Sequence, residues 1–113
     1  MNDPASEVTI DEFKRLDLRV GTVVEVSRVL RTKKLYKVIV DMGTQGKKQT
    51  VTGLVDFYRA EELLNKRIVF LANLKPTTFA GEKSEGMLLA ASEGDKLSLL
   101  TIDRAVPDGS RIS

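Results

Sequence analysis

Basic side chains gather in this sequence at two short stretches. Arg31, Lys33, Lys34 and Lys37 fall together, and Lys75 and Lys83 flank a second polar segment. Ammonium and guanidinium groups donate hydrogen bonds to anions and neutralise them, which suits phosphate oxygens. The same lysines would also serve as a solvated turn. Tyr36 alternates with them, as a ring that stacks on a base or as a core or rim aromatic. Asn73 closes an apolar run, where its amide either caps the following loop or hydrogen-bonds a base or ribose. The chain has no histidine and no cysteine. That removes the commonest general base, the commonest metal ligand, disulfides and thiolate zinc sites. Glu61 and Glu62 lack a partner acid or metal ligand at useful spacing and read as a solvated helix face. The expectation is a binding protein, not an enzyme, needing no cofactor and no metal.

Charge is unevenly distributed. The net value is only +2, yet residues 31–59 alone carry seven basic and two acidic side chains. An excess confined to one stretch points to an anionic partner more than the same charge spread evenly. Aromatic residues make up 5% of the chain, too few for a stacking platform along a single strand, so recognition of a folded RNA by shape and backbone fits better. No apolar run approaches the ~20 residues that span a bilayer, and Met1 to Glu7 is too polar and acidic for a signal peptide. A cytoplasmic location, with no membrane partner, is expected.

These residues need elements to hold them. At 113 residues the chain fits one domain with a real core. Residues 1–9 read as a disordered lead, and 10–113 as the folded domain. Thr9-Ile10-Asp11-Glu12 matches a capping box, predicting a short helix from about Ile10 to Arg15. From Asp17 the period becomes two, with Leu18, Val20, Val24 and Val26 on the apolar face and a bend or bulge at Gly21. Leu35 to Met42 is a second strand, Gly43 to Gly46 a turn, and Lys47 to Thr52 a third strand. Asp56 to Asn65 is a short helix, and Arg67 to Ala72 an apolar strand buried on both faces. Leu74 to Glu85 reads as a loop stiffened by Pro76, and Gly86 as a residue supplying a backbone conformation closed to others. Met87, by default a core filler, opens a strand to Ala91; Glu93-Gly94-Asp95 turns into another, Leu97 to Ile102; the tail from Arg104 is irregular.

Three strands, a helix and two strands is the order of an OB-fold, a five-stranded Greek-key barrel whose first-to-second and fourth-to-fifth strand loops bind oligonucleotides or oligosaccharides. The expected class is therefore all-β with short helices: an OB-fold with a C-terminal extension. An SH3-like barrel ranks second, because it lacks the helix between strands three and four. Both OB binding loops carry lysine here.

The chain also resembles the tRNA-binding OB-domain family, which includes the C-terminal domain of methionyl-tRNA synthetases, a stand-alone dimeric protein, a secretion chaperone and a cytokine-like component of the eukaryotic synthetase complex. The resemblance rests on Phe13 with Asp17-Leu18-Arg19-Val20-Gly21, on Lys34-Leu35-Tyr36 with Val40-Asp41-Met42-Gly43, and on Thr52-Gly53-Leu54. Its most specific parts are Asn73-Leu74-Lys75-Pro76 and Ser84-Glu85-Gly86-Met87-Leu88-Leu89-Ala90-Ala91. It implies structure-specific, largely sequence-independent tRNA binding by a homodimer, through Lys34, Tyr36, Asn73, Lys75, Ser84 and Met87. Thr32-Lys33 stands where the family often has Ala-Asp, which makes this loop more basic.

The leading functional expectation is a tRNA-binding dimer that aids aminoacylation in trans, or the same module as the C-terminal or β-subunit part of methionyl-tRNA synthetase, with the synthetase catalytic subunit as a further partner. The alternative is a peptide-binding chaperone, which should present an apolar groove in place of a lysine-rich rim. Leu97, Leu99, Leu100 and Ile102 put apolar side chains on both faces of the last predicted strand, so the region to Ile112 is expected to close the dimer. The competing expectation is that Arg104 to Ser113 folds back over the same face.

Overall fold

A computed structural model describes residues 6–113; residues 1–5 of the expected N-terminal lead lie outside the described residues. The capping box forms. The Glu12 amide donates to Thr9 Oγ1 at 3.1 Å, and the Thr9 amide donates to Glu12 Oε1 at 2.9 Å. The helix it starts, α1, is a single turn, Ile10–Phe13.

The main sheet is antiparallel, with β1 (Leu18–Arg28), β2 (Tyr36–Asp41), β3 (Lys47–Thr52), β4 (Arg67–Leu71) and β7 (Met87–Leu88) in the order β3-β2-β1-β4-β7. This is the nearly closed five-stranded barrel of an OB-like all-β fold. One turn of helix, α2 (Ala60–Leu63), bridges β3 and β4 and puts Leu63 into the core. It is shorter than the predicted span, ending at Leu63: Leu64 is already extended at ψ 130°, and Asn65 follows with a φ of 70°. Its first turn is tied by the Arg59 amide, which donates to Glu62 Oε1 and holds that carboxyl below its ordinary pKa.

The long first strand serves two partners. Leu18 to Thr22 pair with β4, and Thr22 to Arg28 pair with β2. A bulge between Val23 and Glu25 shifts the alternation, so Val20 and Val23 are the buried valines and Val24 is only half-buried. The predicted Val24 register fails for that reason. Gly21, where the bend was expected, instead pairs regularly with Ile68. The turn after β2 is a single 3₁₀ turn, Gly43–Gln45, with φ of 60° at Gly43 and 85° at Gly46. In β4, Ile68, Val69, Phe70 and Leu71 are all buried, as an apolar strand covered on both faces requires.

Three segments depart from the sequence reading. The expected loop Leu74 to Glu85 is a β-hairpin, β5 (Thr77–Phe79) and β6 (Glu82–Ser84), turned at Ala80 and Gly81 with φ of 50° and 82°. The predicted strand Met87 to Ala91 is broken at Leu89, whose amide donates to the Val69 carbonyl; β8 (Ala90–Glu93) then pairs with β9 (Lys96–Leu99). The last strand thus stops at Leu99, well short of Ile102. The tail folds back along the free edge of β1, where the Val20 amide donates to the Ser110 carbonyl and the Ile112 amide to the Leu18 carbonyl. Asp108 pins it, accepting from Thr22 Oγ1 at 2.9 Å and from Arg67 at 2.8 Å.

Gly86 does not occupy the left-handed region, contrary to expectation. A Cβ there would meet the Leu71 carbonyl oxygen at 2.4 Å and the Phe70 ring at 2.5 Å. The constraint is space, not φ. Asn73 acts as a staple: its Oδ1 accepts from the Asp17 amide at 2.9 Å and its Nδ2 donates to the Arg15 carbonyl at 2.7 Å. It joins the end of β4 to the segment entering β1.

Gly86→Ala should therefore lower stability by about 1–3 kcal/mol through overpacking. Asn73→Ala should lower it by about 1–2 kcal/mol through two lost hydrogen bonds. Urea denaturation checks both: the midpoint should fall with an unchanged slope. An unmoved midpoint for either variant would refute its assigned role.

Candidate nucleic-acid interface

The outer face of the barrel between two projections collects three basic side chains. One projection is the β1–β2 loop, the other the β5–β6 hairpin. Arg28, Leu30, Arg31 and Lys37 on one side and Ala80, Gly81 and Glu82 on the other enclose a cleft of ≈ 520 Å³. Lys37 points outward because its neighbours Tyr36 and Val38 point into the core. Its ammonium meets Glu82 Oε1 at 3.6 Å, and both side chains remain about a third exposed. Arg28 Nη2 donates to the Lys33 carbonyl at 3.2 Å, which orients the guanidinium along the loop.

Around the corner of that loop, Lys33 and Lys34 are exposed. Lys34 Nζ lies 3.2 Å from Asp56 Oδ2, an open pair that solvent screens. Lys75 is exposed on the approach to β5, and Lys83 on β6. Met87 is exposed at 42% on the edge strand β7, not packed in the core as its residue type suggested.

Three expected contact residues hydrogen-bond to the protein itself, Tyr36 and Ser84 buried and Asn73 exposed at the end of β4. Tyr36 is 4% exposed and its hydroxyl donates to the Tyr58 carbonyl at 2.8 Å, so its ring has no free face for a base. Ser84 is buried: its Oγ accepts from the Val51 amide at 3.1 Å and lies 3.2 Å from Thr50 Oγ1. Both amide ends of Asn73 are committed to Arg15 and Asp17. The hydrogen-bonding capacity that suggested a ligand role is satisfied within the fold. Of the basic residues singled out in the sequence, Arg31 and Lys37 share the cleft with Arg28.

Arg28, Glu82 and Phe79 escaped the sequence reading. Phe79 is 46% exposed near the hairpin tip. The signal was present: Thr77-Thr78-Phe79 before Ala80-Gly81 is a β-rich run ahead of a turn, the pattern of a hairpin and not of a loop. Among the described residues, no group of three or more His, Cys, Asp or Glu side chains is arranged to hold a metal ion. No helix among them is long and apolar enough to cross a membrane.

Known proteins share this frame. Residues 18–111 match the family described as "Putative tRNA binding domain". A methionine–tRNA ligase of Thermotoga maritima is 47% identical over 106 residues, covering 94% of this chain and 17% of that enzyme. The chain thus spans about a sixth of the length of the curated relatives it matches. Among solved structures, a methionyl-tRNA-synthetase-related protein from Pyrococcus horikoshii superposes with a TM-score of 0.89 at 39% identity, covering 96% of this chain and 99% of that one. The chaperone CsaA from Bacillus anthracis gives 0.86 at 29% identity, covering 96% and 100%. Because the family match runs from the start of β1 into the strapped tail, through every strand of the barrel, the chain belongs to the tRNA-binding domain family and is a binding domain, not a catalytic one.

Proposed function

We propose that this chain binds tRNA in a structure-specific way, as a homodimer that aids aminoacylation in trans or as the C-terminal or β-subunit module of methionyl-tRNA synthetase. The observation that carries the reading is the basic cleft of Arg28, Arg31 and Lys37, with Lys33 and Lys34 beside it, in a chain of this family. Phosphates of a folded RNA would meet these groups along the rim, and Lys75 would extend the contact. Met87 would add an apolar contact. Tyr36, Asn73 and Ser84 would support the surface through their bonds to the protein itself. The synthetase catalytic subunit is the further partner proposed.

Binding of this kind releases counterions, so log K should fall by ~0.7–0.9 per phosphate contact per log unit of salt. Filter-binding titrations with tRNA at two salt concentrations should give a negative slope worth a few contacts. An unfolded peptide in the same assay tests the chaperone reading, which the likeness to CsaA keeps in play. A flat slope, or peptide bound in place of tRNA, would sink the RNA reading. Lys34→Ala and Lys75→Ala should each weaken tRNA binding roughly three- to tenfold and shorten the slope by about one contact. Their stability should change by less than ~0.5 kcal/mol, since both side chains are exposed.

The dimer surface proposed from Leu97, Leu99, Leu100 and Ile102 needs revision. Leu99 is buried in the core, and Leu97, partly buried, packs against it. Leu100 at 40% exposure and Val106 at 41% remain, with Ile102 half-buried near them in sequence. The tail straps β1 and leaves Leu100 uncovered. Sedimentation equilibrium at tens of micromolar should return about twice the 12.5 kDa chain mass. Leu100→Glu should return the single-chain mass with the fold intact. A wild-type mass near 12.5 kDa would reject the dimer.

A further inference from the structure

The hairpin that walls the cleft carries a residue the phosphate contacts do not use. Phe79 stands directly opposite Glu82 in the β5–β6 ladder. Directly opposed residues in an antiparallel pair put their side chains on the same face. The Glu82 carboxylate reaches Lys37 on the barrel wall, so that face of the hairpin looks towards β2. Phe79 therefore shares the hairpin face of Glu82, next in sequence to Ala80 of the cleft lining, and 46% of the residue stays open to solvent. A large aromatic left half-exposed on that face lies outside the buried core cluster.

Backbone strain marks the same place. Among the described residues, three that are not glycine have positive φ: Arg31, Asn65 and Ala80. Asn tolerates this region, whereas Arg and Ala do not readily. Arg31 and Ala80 both line the cleft; the φ of Ala80 is the one its two-residue hairpin turn demands, whereas Arg31 lies in the β1–β2 loop, outside any such hairpin pair. Strain of this kind persists where the surroundings enforce it, and it concentrates at ligand clamps.

The geometry points to a subsite for one unpaired nucleotide of the bound RNA, an inference that rests on the tRNA reading above. Its base stacks on Phe79, and its phosphate meets Arg28 and Arg31 and displaces Glu82 from Lys37. The cleft volume of ≈ 520 Å³ lies within the ~300–1,000 Å³ range of small-ligand sites. One ring suits one base, consistent with a chain too poor in aromatics to track a long strand. Glu82 then acts as a specificity-determining residue, since only an anion competes with it for Lys37. A base held in a duplex offers no free face to the ring, so the site selects RNA with an extruded or looped-out nucleotide.

Phe79→Ala and Phe79→Leu should each weaken binding of a tRNA transcript roughly five- to hundredfold, the range for loss of one base stack. Leu keeps the apolar bulk, so its failure to rescue separates stacking from packing. Glu82→Gln should tighten binding a few-fold by freeing Lys37. Phe79→Trp should keep the affinity, and because the chain has no tryptophan the introduced indole is a unique reporter. Its fluorescence should be quenched by the transcript and, more weakly, by a single-stranded pentaribonucleotide. Urea denaturation of each variant identifies any that fails to fold. Wild-type affinity in both Phe79→Ala and Phe79→Leu, or an indole unquenched while the transcript is bound, overturns the subsite and leaves tRNA binding standing. No transcript binding by the wild-type chain overturns both.

Discussion

Everything that positions the basic cleft depends on how the barrel closes between β3 and the chain after the hairpin. These two edges do not share a regular ladder. Side chains and single backbone bonds join them instead: Thr50 Oγ1 donates to the Gly86 carbonyl at 2.8 Å, the Val51 amide donates to Ser84 Oγ, and the Glu85 amide donates to the Gln49 carbonyl. Glu85 returns the contact, its carboxylate accepting from the Gln49 amide at 3.0 Å. Gly86 itself sits against the Phe70 ring, and only a residue without Cβ fits there. Thr50 is fully buried, so an unpaired hydroxyl there would cost far more than an ordinary hydrogen bond contributes. The closure fixes where β6 leaves the barrel, and hence where the hairpin tip meets the β1–β2 loop.

That explains why Ser84 and Gly86, within the most specific motif of the sequence, are buried and closed to a ligand. Ser84-Glu85-Gly86-Met87 is a run of polar and small residues between apolar strands, which from sequence alone resembles a binding loop. Polarity states how many hydrogen bonds a residue needs, not whether protein or ligand supplies them. Tyr36 was ambiguous for the same reason: its partner carbonyl is at Tyr58, 22 residues away. Lysines carry the same ambiguity of partner but not of location. An ammonium group is rarely buried, so Lys33, Lys34 and Lys75 were safely assigned to the surface, and Lys37 followed from strand alternation.

The fold was legible to the same uneven degree. The capping box at Thr9, the apolar β4 and the helix between strands three and four follow from local pattern and capping chemistry. The bulge did not, because Val23 and Val24 are equally apolar and only the pairing with β2 decides which faces inward. The end of the last strand was misplaced because Leu100 and Ile102 continue the apolar run after pairing has stopped. There the Leu100 amide turns to the Leu89 carbonyl and Thr101 Oγ1 donates to the Arg67 carbonyl, which draws the chain across the barrel.

The charge pattern gains a different meaning once the partners are visible. Residues 31–59 carry the positive excess, yet two of the lysines proposed to bind face a carboxylate: Lys34 faces Asp56 and Lys37 faces Glu82. Such half-exposed pairs contribute little to stability, on the order of 0–1 kcal/mol. Their effect falls instead on what approaches. A neutral or cationic segment gains nothing by breaking them, whereas a polyanion replaces each carboxylate with a phosphate and keeps the lysine paired. The Asp41 carboxylate, by contrast, accepts from the Gly43 amide and serves the turn. A modest net charge with carboxylates stationed at the lysines therefore favours discrimination between anions over indiscriminate attraction, because a phosphate must outcompete a resident partner at each position before it contributes to binding.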